Sequence, residues 1–217
     1  MNKAATSEQI SQRLRDGMTI MIGGFMANGA PERLIDLLIK NDIKDITLIT
    51  TDTGSPGRGS SRLIAEKRVT KLYASHIGTN PETGKQMNEG TLSVELVPQG
   101  TLAERIRSAG AGLGGVLTPT GLGTVVAENK RVVEVGGKPY LLEEPLKADL
   151  ALIRGSKVDQ RGNIFYSKTT RNFNPLMATA ADIVIVEPEQ IVELGDIMPE
   201  AVHTPSLYVD YIFMENQ

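Results

Sequence analysis

The sequence contains no cysteine and no tryptophan, and only two histidines, His76 and His203. Without cysteine there are no disulfides, no thiolate metal sites and no thiol nucleophile, so any redox chemistry would need a bound cofactor. Neither histidine has a carboxylate or a second histidine at metal-ligand spacing, so structural roles are expected for both and no metal site is expected. Aromatic residues make up 4% of the chain and the formal net charge is −3. That balance argues against a nucleic-acid surface and against stacking platforms for single strands. No run of eighteen apolar residues occurs, so no membrane span is expected. The opening MNKAATSEQISQRLRDG lacks the apolar core of a signal peptide, and Thr6 with Gln9 reads instead as a helix capping pair, which points to the cytoplasm. No G-x-S-x-G elbow is present and Ser60-Ser61 lies in a turn-like segment, so a serine triad is not expected.

What the chain does contain is organised around DGMTIMIGGFMANGAP, from Asp16 to Pro31. A turn at Asp16-Gly17 leads into the apolar run Met18 to Ile22, which breaks into Gly23, Gly24 and Gly29 before Pro31. The order reads strand, glycine loop, helix. Five apolar or β-branched residues without alternation suit a strand buried on both faces, and Pro31 before ERLIDLLIK suits the first turn of a helix. The loop then lies at the carboxyl end of a parallel strand, where open α/β sheets bind ligands. Its glycines let backbone approach a ligand, and N–H groups at the helix end favour anionic atoms. Such a junction also arises from close packing alone, and Gly23, Gly24 and Gly29 do not fit the dinucleotide fingerprint G-x-G-x-x-G.

The same pattern repeats along the chain. ITLITT, GSPGRGSS and RLIAEKR read as strand, loop and helix; VTKLYAS is a third strand, and Asn80-Pro81-Glu82 opens the next helix. LSVELVP is a fourth strand, followed by a helix in which Thr101 and Glu104 stand at capping-box spacing. Six glycines between Gly110 and Gly123 predict a long exposed loop. RVVEV-GGK-PYLLEE reads as a hairpin about Gly136-Gly137, ADLALIR as a buried strand, and SKVDQRGNIFY as a second hairpin near Gly162-Asn163. Asn172 to Pro175 opens a helix over LMATAA, DIVIVEPEQIV is a last core strand, and HTPSLYVDYIF is expected at a sheet edge. The expected fold is an α/β, open, mostly parallel Rossmann-like sheet with helices on both faces and hairpin embellishments, in one domain over residues 1–217.

Several candidate residues carry a bland reading beside the functional one. GTNPETGKQ approaches a Walker loop, but five residues separate Gly78 from Gly84 and Lys85 is followed by glutamine, so it is a decoy. Gln99 is an amide at the carboxyl end of a buried strand, where ligands lie, or a cap for the next helix. Glu95 alternates with apolar neighbours; Glu104 reads as a helix cap and Glu187 as a strand-end charge.

Together these pieces resemble a known family. Asp16, Gly17, Gly23, Gly24, Phe25, Gly29 and Pro31 fill the fixed positions of the family I CoA-transferase signature. The likeness continues through SHIGTNPETG, VPQGTLAERIRSAGAGLGGVLTPTGLGT, ADLALIRGS and RNFNP, essentially the whole chain. The chain resembles α subunits of bacterial acetate/acetoacetate or butyrate–acetoacetate CoA-transferases, and also the N-terminal half of succinyl-CoA:3-oxoacid CoA-transferase.

That resemblance implies exchange of CoA between an acyl-CoA and a free carboxylic acid by a ping-pong route. A glutamate attacks the thioester, and a mixed anhydride and an enzyme–CoA thioester follow. In this family the nucleophile lies on the β subunit in a Ser-Glu-Asn-Gly-like motif. Here the nearest strings, Asn88 to Gly90 and Met214 to Asn216, do not match. The resemblance therefore implies no catalytic residue on this chain, a β-subunit partner in an α2β2 heterotetramer, and CoA as substrate with no permanently bound cofactor. Gly23, Gly24, Phe25, Met26, Ala27, Asn28 and Gly29 are the implied CoA-binding segment, and Gln99 the implied contact to the acid's carboxylate. The loop from Gly110 to Gly123 would line or cover the acyl pocket, with Asn172 and Asn174 as further contributors. The exit Thr51-Asp52-Thr53-Gly54-Ser55-Pro56-Gly57 departs from the Asn- or Asp-rich form common in the family, which leaves its substrate contacts unassigned. The competing readings are a sugar-phosphate isomerase on a similar fold and a non-catalytic acyl-CoA-binding or regulatory module.

Overall fold

In the computed structural model, which describes residues 3–214, the chain enters through a short strand, β1 (Ala4–Ala5), and a helix, α1 (Ser7–Ser11). Thr6 and Gln9 form the capping box that their spacing predicts, with Gln9 N–H donating to the Thr6 hydroxyl at 3.3 Å and Thr6 N–H to Gln9 Oε1 at 2.9 Å. Four strand–helix units follow. They are β2 (Thr19–Ile22) with α2 (Glu32–Lys40), β3 (Ile46–Ile49) with α3 (Ser61–Ala65), β4 (Val69–Ala74) with α4 (Pro81–Asn88), and β5 (Ser93–Leu96) with α5 (Gln99–Gly110). The chain then makes β6 (Val116–Thr118) and the hairpin β7 (Val132–Val135) and β8 (Lys138–Glu143). Next come the long strand β9 (Ala148–Asp159) with its short antiparallel return β10 (Ile164–Phe165), α6 (Asn174–Met177), β11 (Ala181–Val192) and β12 (Tyr211–Phe213).

Nine strands form one sheet in the order β1-β12-β11-β9-β2-β3-β4-β5, with β10 paired off the path on β9; every pairing except β9 with β10 is parallel. Ile20 and Ile22 point to a core shared with Ile10, Leu34, Ile35, Leu38, Leu63 and Ile64 of the helices on one face. Met21 points to the opposite core, under Leu102 and Ile106 of α5 and Met177 of α6. The apolar run in β2 does not alternate because both of its faces are covered, and each such side chain contributes about 1.5–3 kcal/mol by leaving water.

Four expectations need correction. The tail strand β12 is not an edge, because the two residues of β1 add outside it, Ala4 pairing with Ile212 and Ala5 with Phe213. Thr101 and Glu104 form no capping box: Pro98 stands at the N-cap, α5 begins at Gln99, and Glu104 pairs with Arg107 inside the helix at 2.7 Å. The stretch from Gly110 to Gly123 is not a structureless loop, since β6 pairs with β8 in a separate antiparallel sheet of order β6-β8-β7. Gly115 is required there by close approach, a Cβ at that position lying 2.6 Å from the Glu143 carbonyl oxygen. Finally, the helix opened by Asn172 to Pro175 spans only Asn174–Met177. The string Met214 to Asn216 runs into residues outside those described.

Candidate functional site

The topology singles out one position on the sheet. From β2 the chain steps outward through β3, β4 and β5, whereas the neighbour on β2's other side is β9, from which β11, β12 and β1 run the opposite way. This reversal places the glycine bend, which leaves the carboxyl end of β2, at a topological switch point.

The bend is a two-residue turn. Phe25 and Asn28 exchange backbone hydrogen bonds, with N–H to carbonyl distances of 3.1 and 2.9 Å, around Met26 and Ala27 at φ of 51° and 62°. Positive φ at both central residues is the signature of a type I′ turn, which favours Asn-Gly and here carries Met-Ala. The bend lies against its neighbours so closely that a Cβ on Gly23 would meet Asn174 Oδ1 at 1.8 Å, and one on Gly29 the Thr170 carbonyl oxygen at 2.6 Å. Gly23, Gly24, Ala27 and Gly29 are accordingly buried, Met26 is half-buried, and Phe25 and Asn28 are exposed.

Most N–H groups of the bend already have partners within the chain. Gly23 N–H donates to the Leu152 carbonyl (3.0 Å), Gly24 N–H to Asn172 Oδ1 (3.1 Å) and Met26 N–H to both oxygens of Asp52 (3.2 and 3.1 Å). Among the described residues only Ala27 and Gly29, between Gly23 and Ala30, have N–H groups without a partner. The space enclosed between the bend and the loop after β3 is ≈ 10 Å³. That is room for about one water and far below the roughly 300–1,000 Å³ of small-molecule pockets.

Sequence reasoning missed how α2 is held. Pro31 stands at its N-cap and offers no side-chain acceptor. Glu187, midway along β11, supplies one, accepting from Arg33 N–H at 2.8 Å and Leu34 N–H at 3.1 Å. Glu187 is thus a helix cap delivered from another strand, not a strand-end charge. Burial raises its carboxyl pKa, against the lowering pull of these two N–H groups and of the Arg33 and Arg154 guanidinium charges.

Gln99 stands elsewhere. It is exposed in the first turn of α5, three strands from β2, or roughly 14 Å at the usual strand spacing. The structure does not bring it into contact with the bend. Residues beside it, Pro98, Gly100 and Thr101, instead line a hollow of ≈ 320 Å³ with Val116, Leu117, Thr118 and Thr120. The segment around β6 and the start of α5 therefore border one hollow. Beyond them a groove of ≈ 960 Å³ runs between β5 and the small sheet, over an ion cluster in which Arg105 meets Glu95 at 2.7 Å and Lys130 meets Glu143 at 2.7 Å. Both histidines fill other roles. His203 Nδ1 accepts from Tyr166 N–H at 3.0 Å and its ring stacks on Phe165, burial lowering its pKa, while His76 is an exposed strand-end residue.

Residues 3–215 match the family model described as Coenzyme A transferase. The chain belongs to the coenzyme A transferase family. It is 52% identical over 215 residues to the acetate CoA-transferase subunit alpha of Escherichia coli (strain K12), covering 99% of this chain and 98% of the relative. It is 51% identical over 214 residues to the acetoacetyl-CoA:acetate/butyrate CoA transferase alpha subunit of Clostridium acetobutylicum, again covering 99% and 98%. Among solved structures, glutaconate coenzyme A-transferase from Acidaminococcus fermentans superposes with a TM-score of 0.83 at 17% identity, covering 98% of this chain and 75% of that one. An acyl-CoA transferase from E. coli O157:H7 gives a TM-score of 0.83 at 20% identity; this chain, 98% covered, spans 47% of it. At such identities the structures establish the fold.

For a CoA-transferase, the buried carboxylates next to the bend are informative. Asp52 and Glu187 each accept backbone N–H groups, Asp52 from Met26 and Gly54 and Glu187 from Arg33 and Leu34. Both acids are therefore engaged in holding backbone. No group of three or more His, Asp or Glu side chains that could hold a metal occurs among the described residues, and no helix there is long and apolar enough to cross a membrane.

Proposed function

We propose that this chain is the α subunit of a short-chain acyl CoA-transferase, forming one domain over residues 1–217. It exchanges CoA between acetyl-, butyryl- or acetoacetyl-CoA and a free carboxylate. The observation that carries this is full-length identity of 52% and 51% to two alpha subunits named for acetate and for acetoacetyl-CoA:acetate/butyrate transfer. The engagement of both Asp52 and Glu187 on backbone supports a nucleophile supplied by another chain. A β-subunit glutamate attacks the thioester carbonyl and expels CoA thiolate, giving an acyl–glutamyl anhydride. The thiolate then attacks the glutamyl carbonyl, releasing the carboxylate and leaving a glutamyl–CoA thioester, from which the second acid recovers CoA by the reverse steps.

In this reading the face of the bend that carries Phe25 and Asn28 meets the CoA arm, and the Gln99 amide donates to the acid's carboxylate in the hollow beside α5. A neutral donor suits that task, because it binds an anion without leaving a buried counter-charge when the site is empty. The assembly is an α2β2 heterotetramer in the cytoplasm. The test is to purify the chain alone and co-expressed with a β subunit. The lone chain is expected to give no transfer from acetyl-CoA to acetoacetate and the complex to give it, with the CoA adduct found by intact mass on the β chain. Transfer by the isolated chain, or an adduct on it, would refute the proposal.

A further inference from the structure

The turn at Met26-Ala27 is in a conformation that its own residues do not favour. Two consecutive L-residues with side chains hold φ of 51° and 62°, where hairpins of this type normally place Asn and Gly. Something outside the turn must select this state, and two side chains are placed to do so. Asp52, from the loop after β3, accepts from Met26 N–H with both oxygens, from Gly54 N–H at 2.8 Å and from the Thr51 hydroxyl at 2.9 Å. Asn172, from the segment after β10, accepts from Gly24 N–H at 3.1 Å and donates to the Asn28 carbonyl at 3.0 Å. Asn172 itself sits at φ of 21°. Asp52 follows β3, the neighbour of β2 on one side, and Asn172 follows β10, which pairs with β9 on the other side, so the bend is held by two separate segments.

The chemistry of Asp52 is unusual for a part that serves stability alone. It is 4% exposed and forms no ion pair among the described residues. A buried carboxylate neutralised only by N–H and O–H donors is a demanding way to hold a loop, and it fixes geometry tightly because each donor has one direction. Local strain held by surrounding bonds is characteristic of segments whose shape is used. We propose that Asp52 and Asn172 are positioning residues for acyl-CoA: they lock the Phe25–Asn28 turn before the substrate arrives, so that its outer face is preorganised to receive the CoA arm. This rests on the α-subunit reading above.

The test uses the reconstituted complex and ping-pong kinetics, which report separate KM values for acyl-CoA and for the acid. Asp52→Asn keeps one acceptor oxygen and loses the other. Asn172→Asp keeps the acceptor for Gly24 N–H and loses the donor to Asn28. Each is expected to raise the KM for acetyl-CoA by about 10-fold or more while leaving the KM for the acid within about 2-fold, the size of effect expected when one hydrogen bond of a preorganised group is lost. Ala27→Gly supplies the residue the turn favours, so the double variant with Asp52→Asn is expected to recover most of the acetyl-CoA KM. An active wild-type complex whose variants keep the wild-type KM, or lose only kcat to the same extent for both substrates, overturns this inference alone. So does a double variant without recovery. A wild-type complex without any transfer overturns the α-subunit reading and this inference with it.

Discussion

At the bend after β2, six of the N–H groups between Gly23 and Ala30 are bonded within the chain, and the enclosed space is ≈ 10 Å³. Around Gln99, on the same carboxyl edge, the amide is exposed, Leu96 and Leu117 are 49% and 42% exposed, and the adjoining hollow is ≈ 320 Å³. The two regions differ in completeness. The bend is a finished wall whose shape is determined by this chain, while the Gln99 side leaves room for atoms that the chain does not supply. Conserving the first is a matter of packing, and using the second is a matter of what enters it.

The sharpest way to break that contrast is to place the same methyl group in both regions. Gly23→Ala puts a Cβ 1.8 Å from Asn174 Oδ1, which already accepts from Arg154 N–H at 3.2 Å while its amide donates to Gly29 and Thr170 carbonyls. Asn174 cannot give way without breaking those bonds, so a loss of about 3 kcal/mol or more is expected in denaturant unfolding. Gly100→Ala meets nothing within 4 Å in the first turn of α5. It is expected to be neutral or to stabilise by up to about 1 kcal/mol. Equal effects at the two glycines would show the bend to be as loosely packed as the helix start.

Gln99→Ala sharpens the comparison from the open side. An exposed side chain with no hydrogen-bond partner among the described residues is expected to change folding stability by less than about 0.5 kcal/mol. In the complex with a β subunit, loss of its donor to the acid is expected to weaken acid binding by about 1–3 kcal/mol. A variant with unaltered acid affinity and altered unfolding would make Gln99 a helix-start residue and nothing more.

How much of this was readable beforehand depends on the range of each interaction. The βα units from β2 to α5 were legible because each carries a local apolar run followed by turn residues and a helix start, as Asn80 shows by accepting from Glu82 N–H at 3.2 Å. The bend was legible as a glycine cluster after an apolar run. The bonds that hold it were not, because Asn172 reaches Gly24 across 148 positions and Glu187 reaches Leu34 across 153. Nothing local marks such partners. β1 was not foreseen and β12 was misplaced for a related reason: strands of two and three residues carry no readable alternation, and they pair across more than 200 positions. The glycines from Gly110 to Gly123 misled because some, like Gly115, serve contacts with β8, which lies later in the sequence.

Glu187 offers the smallest and most discriminating effect. Its carboxyl pKa lies above the ordinary value of 4.5 because burial outweighs the two N–H donors and the nearby guanidinium groups. Facing it are Arg33, whose Nε lies 3.5 Å from Oε1, and Arg154, which is itself turned toward Glu189 at 3.6 Å. A carboxyl with a raised folded-state pKa adds most stability below its unfolded pKa, and that increment is lost as pH rises through the folded value. Glutamine does not titrate and keeps one acceptor oxygen for the α2 N–H groups. Glu187→Gln should therefore gain on the wild type as pH rises from about 4 to 7, by a few tenths to about 1 kcal/mol in unfolding free energy. A difference that stays flat would mean that the N–H groups and guanidinium charges balance burial, and one that shifts toward the wild type at neutral pH that they outweigh it. The first turn of α2, which follows the bend, would then be anchored by charge, and the bend would share in that anchor.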